Sequence, residues 1–96
     1  MYVAMLLAIV ELPDLSSIKD KRRIVVSLRD RLIRTFRVSA AEVDLHDSLS
    51  FSQMGVALVC NDRQHGEKVM QKVLAFIEDH VPGRVYEVQT YTEVYQ

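Results

Sequence analysis

Seven residues, Ser17-Ile18-Lys19-Asp20-Lys21-Arg22-Arg23, pose the first chemical question of this chain. Four of them are cations at what reads as the front of a helix. A helix N-terminus is already the positive end of its dipole, so each cation there costs about 0.3–1 kcal/mol unless an anion answers it. The same end offers free backbone N–H groups, which anions use. Lys19, Lys21, Arg22 and Arg23, extended by Arg34 and Arg37, are therefore candidate anion-binding residues. Phosphate backbones suit such a face, because they require no reading of bases. On a helical wheel Lys19, Arg23, Arg34 and Arg37 lie away from the Ile18/Val25/Leu32 stripe, and Arg22 and Arg29 flank it. Lys21 falls within the stripe, so it must snorkel or find a buried acid. The alternative is a solvated face laced with intrachain pairs, Asp30 reaching Arg34 and Asp20 reaching Arg23.

Other reactive side chains carry weaker signals. Asp44 and His46 point the same way on a strand, the start of a two-ligand metal site. His65 and His80 lie elsewhere, so surface polar residues are the expectation and no metal is assigned. Cys60 alternates with Val56 and Leu58 and reads as core rather than nucleophile. No GxSxG, P-loop or GxGxxG is present. No catalytic residue and no cofactor follow.

The 96 residues fit one domain spanning 1–96. Apolar residues make up 49%, enough for a core, and charged residues 26%. The net charge of −1 hides a division. Residues 17–37 hold eight cations and two anions, +6, and the remainder holds four cations and eleven anions, −7. Such asymmetry points to a polyanion partner, or to an acidic surface that meets the basic one. One cysteine excludes an internal disulfide. The apolar start, MYVAMLLAIVEL, lacks a basic n-region and is too short to span a bilayer. A cytoplasmic protein with no membrane partner is expected.

The elements that position these residues follow from periodicity. YVAMLLAIVEL is apolar on both faces, as a covered central strand is. Ser17 with Asp20 has capping-box spacing, and a long amphipathic helix follows. Val38 to Asp47 is strand-like. DSLSFSQ reads as a hairpin loop whose Leu49 and Phe51 are candidate partner contacts. MGVALVCN is a second central strand. Asn61 or Asp62 caps a second helix with a Val69, Met70, Val73, Leu74, Ile77 stripe, which Pro82-Gly83 stops. RVYEVQTYTEVYQ closes as an alternating strand. The order β-α-β-β-α-β predicts an α+β ferredoxin-like sandwich, a four-stranded antiparallel sheet with both helices on one face. The larger residues of the central strands are expected beneath the helices. Ala4, Leu6, Ala8 and Ala57 would then line an open sheet face and form a homo-oligomer interface.

In order along the chain, SIKDKRR, VSAAEVD and MGVALVCND resemble the YlxP-like bacterial family. SIKDKRR is the most specific piece, similar to that family's Ser-Leu-Lys-x-Lys-Arg. The resemblance implies a ferredoxin-like fold and a bacterial cytoplasmic protein, and it assigns no reaction. Family genes often lie near translation and ribosome-maturation genes, which implies an RNA or ribosome connection. Many members carry a Trp and an Arg in the hairpin loop where this chain has Leu49 and Phe51, so no role for that loop carries over.

The sequence thus leads to a non-enzymatic protein that binds RNA or a ribosomal particle through its basic first helix. The competing reading is a homo-oligomeric interaction or regulatory module that uses the open sheet face and no nucleic acid.

Overall fold

The computed structural model describes residues 1–96. Its elements are β1 (Tyr2–Glu11), α1 (Ile18–Phe36), β2 (Ser39–Asp44), β3 (Phe51–Cys60), α2 (Arg63–His80) and β4 (Val85–Val94). All pairings are antiparallel and the strand order is β2-β3-β1-β4. This is the ferredoxin fold. The two strands that are apolar on both faces, β1 and β3, lie in the middle as expected, in register from Tyr2 opposite Cys60 to Glu11 opposite Phe51.

Local chemistry sets the helix ends. The Ser17 hydroxyl accepts from the Asp20 backbone N–H at 3.2 Å and caps α1. The Asp20 carboxylate accepts from Ser16 instead of closing the reciprocal box. Arg37 ends α1 with φ 54, a left-handed cap that returns its N–H to the Ile33 carbonyl. Asp62, not Asn61, caps α2 through the Gln64 N–H at 3.1 Å. The helix ends at His80, just before Pro82-Gly83.

The core lies between the helices and one sheet face. Leu6, Val10, Leu32, Met54, Val73 and Ile77 are fully enclosed there. Each such side chain contributes about 1.5–3 kcal/mol of transfer free energy. Ala4, Leu6 and Ala8 belong to this buried face, contrary to the sequence expectation, and pair with Leu58, Val56 and Met54. The reason is steric. The helices bring Leu28, Leu32, Met70 and Ile77 down onto the sheet, and Ala4 and Ala8 leave room for them beside the larger Leu6 and Met54. Gly66 of α2 shows how close the approach is, because a Cβ there would meet Ala4 Cβ and Cys60 Sγ at 2.9 Å. The open face instead carries Val3, Met5, Leu7 and Ile9, opposite Val59, Ala57, Gly55 and Gln53. Of the four residues expected on it, Ala57 alone is there.

Phe51 is the first residue of β3 rather than part of a loop tip. It is half-buried on the open face, its ring edge-on to Tyr86 at 6.1 Å. Leu49 stays in the turn before it, also half-buried. At the far end of the sheet Met1 and Tyr95 exchange two backbone hydrogen bonds, 2.7 and 2.9 Å. The Tyr95 hydroxyl donates to Glu93, and that bond, with the carboxylate's charge, raises the phenol's pKa. No helix is long and apolar enough to cross a membrane.

Candidate nucleic-acid interface

The seven cations of helix α1 and the Arg37 that caps it divide between two environments. Lys21 faces inward and is 2% exposed. Its ammonium lies 3.2 Å from Glu42 Oε2 and donates to the carbonyls of Leu45, 2.5 Å, and His46, 3.4 Å. An ammonium has three donors, and each finds an acceptor. Glu42 also takes the hydroxyl of fully buried Ser52 at 2.5 Å. The cluster joins α1 to β2 and β3 and pins the turn at Leu45, whose φ of 64 is costly for a residue with a branched side chain. Lys21 is therefore removed from the anion-binding set. The wheel position that required a buried acid is explained by Glu42.

The outward cations have no such partners. Arg29 pairs with Asp30 at 3.0 Å. The expected Asp30–Arg34 and Asp20–Arg23 pairs do not form, since Asp30 turns to Arg29 and Asp20 to Ser16. Lys19, Arg22, Arg23, Arg31, Arg34 and Arg37 are all exposed and none has a carboxylate within salt-bridge distance. The two ends of the helix differ. Arg34 and Arg37 stand at the negative end of the dipole, which stabilises them. Lys19, Arg22 and Arg23 stand at the positive end, which does not.

The structure adds Arg31 to this face. A cleft of about 240 Å³ opens between α1 and α2, with Arg23 and Arg31 on one side and His80 and Val81 on the other. The His80 ring stacks on Phe76 at 3.9 Å and its Nδ1 lies 2.9 Å from the Phe76 carbonyl oxygen. Sequence reasoning passed over Arg31 because a wheel does not say which flank of α1 meets α2.

The weaker candidates resolve structurally. His46 Nε2 is 4.0 Å from Glu42, and no group of three or more His, Cys, Asp or Glu residues converges as a metal site. Cys60 sits at the end of β3, half-exposed, its thiol directed at the Asp62 carbonyl at 3.4 Å. Every buried polar side chain has a hydrogen-bond partner.

Comparison with known proteins agrees with this fold and assigns no activity. Residues 3–90 match the family described as protein of unknown function, DUF503. Over 65 residues, 68% of this chain and 71% of the relative, the sequence is 35% identical to the uncharacterized protein YlxP of Bacillus subtilis (strain 168). Among solved structures, a de novo designed protein with ferredoxin fold, LFR1 1, superposes with TM-score 0.57 at 10% identity, covering 100% of this chain and 86% of the design. The designed protein Foldit4 gives TM-score 0.55 at 13% identity, covering 99% and 98%. Designs of such low identity share the backbone arrangement only, so they speak to the fold. The family match and the YlxP identity speak to descent: this chain belongs to the DUF503 family, with YlxP as a relative.

Proposed function

We propose that this protein binds RNA, free or within a ribosomal particle, along the outward face of α1, and that it acts by binding rather than by catalysis. The observation that carries the reading is the set of six exposed cations without a carboxylate partner, three of them at the helix end where the dipole opposes them. A phosphodiester chain answers both the side-chain charge and the free N–H groups of that end. Arg23 and Arg31 at the cleft, with Lys19 and Arg34 on the adjoining outward side of the helix, form a track suited to backbone contact rather than base reading. Each phosphate neutralised releases counterions, so affinity falls steeply with salt.

The test is binding of purified protein to bulk ribosomal RNA across a salt series, beside an Arg23→Glu/Arg34→Glu variant. Wild type binds with a steep negative salt slope and the variant loses binding while keeping its fold. Absence of wild-type binding at low salt removes the RNA reading and leaves the cations to an acidic protein partner.

A further inference from the structure

The two edges of the sheet are finished differently. Strand β2 is six residues long, is bulged between Glu42 and Asp44, and is locked from above by Lys21. Short, bulged, charged edges resist addition of another strand. Strand β4 is ten residues long, contains no Lys, Arg or Pro, and draws seven of its ten residues from Val, Tyr and Thr. All of it is exposed except Val85 and Thr92, which are half-buried, so α2 covers its helix-side residues only in part.

The free hydrogen-bonding groups of this edge can be located. Met1 and Tyr95 exchange both backbone bonds, so they form a hydrogen-bonded pair. Antiparallel pairs alternate, so Tyr2–Val94, Ala4–Thr92 and Leu6–Thr90 are non-bonded pairs. The amides and carbonyls of Thr90, Thr92 and Val94 therefore point away from β1. Arg63 already finds one of them, donating to the Thr92 carbonyl at 3.2 Å. That carbonyl keeps a second lone pair.

We propose that β4 pairs antiparallel with β4 of a second copy, about a two-fold axis at Tyr91, joining the two sheets into one of eight strands. The register follows from charge. Centred on Tyr91, Gln89 faces the second copy's Glu93, Thr90 faces Thr92, and Val88 faces Val94. No like charges meet. Centred on Thr90, Glu87 would face Glu93, which is repulsive. Centred on Thr92, Tyr91 would face Glu93 and fewer residues would pair. The bonds then run through Thr90 and Thr92, whose groups point outward. The two Tyr91 side chains meet on the axis in a non-bonded pair, where side chains are closest. An added strand also closes the groove of about 270 Å³ between α2 and β4, lined by Met70, Gln71, Thr90 and Thr92. A perpendicular axis leaves both α1 helices on the same side of the joined sheet. The inference stands independently of RNA binding.

The test is solution mass by light scattering, with three variants in a Cys60→Ser background. Wild type and Cys60→Ser run at twice the 11.0 kDa chain mass at high micromolar concentration. Thr90→Pro removes an outward amide that β1 does not use, and should give a folded monomer by circular dichroism. If it does not fold, the cysteine variants decide. Tyr91→Cys crosslinks to a dimer on mild oxidation and Gln89→Cys does not. A monomeric wild type overturns the proposal. So does a dimer that survives Thr90→Pro, which would place the contact on the open sheet face. Efficient crosslinking through Gln89→Cys but not Tyr91→Cys contradicts the register.

Discussion

On the inner side of α1, Lys21 is enclosed with Glu42, two carbonyls and Ser52 nearby. On the outer side, one and two residues further along, Arg22 and Arg23 are exposed and meet no carboxylate. The two sides carry the same charge for opposite reasons. Inside, desolvation makes an unanswered ammonium prohibitive, so the fold supplies a carboxylate. Outside, water answers the charge cheaply and no internal partner is required. The difference shows why counting cations in a sequence says little about function until each is matched against its acids. Removing Lys21 from the count strengthens the reading of the rest, because those that remain have no intrachain explanation at the helix front.

The comparison can be broken most forcefully at its inner side. Lys21→Ala strands the Glu42 carboxylate and frees the turn at Leu45, and should destabilise the fold by about 3–5 kcal/mol in denaturant unfolding. Replacing the pair together, Lys21→Met with Glu42→Leu, should recover most of that loss, since a packed apolar pair replaces a buried ionic one. A small effect of Lys21→Ala would show that the ammonium is not the lock described. Ser17→Ala removes the cap beneath both sides and should cost about 1 kcal/mol. Arg22→Ala, on the outer side, should change stability by no more than about 0.5 kcal/mol.

Much of the fold was legible and part of the site was not. Two-sided apolarity marked β1 and β3 as central, and Ser17 was readable as a cap. Lys21 betrayed its burial by falling in the apolar stripe. Its partner was not readable, because the alternation of β2 does not say which face meets the helices: Ala40 and Glu42 lie on the helix face opposite Val56 and Met54, while apolar Val43 is exposed beside Gly55. Side-chain size misplaced Ala4, Leu6 and Ala8. Volume beneath a helix is set by what the helix brings, and Gly66 shows that α2 comes close. Phe51 sat among serines and read as loop, whereas pairing with Glu11 extends β3 to include it. Arg31 depended on how α1 is rotated against α2, which only packing decides.

The central claim is that the outer cations, and not Lys21, contact phosphate. The measurement is the slope of log affinity for ribosomal RNA against log salt, in wild type, Arg22→Ala/Arg23→Ala and Lys21→Met/Glu42→Leu. Two phosphate contacts are worth about 1.4–1.8 in that slope. The account predicts that Arg22→Ala/Arg23→Ala flattens the slope by about that amount while Lys21→Met/Glu42→Leu leaves it at the wild-type value. An unchanged slope in the arginine variant, or a flattened one in the folded Lys21 variant, would contradict it.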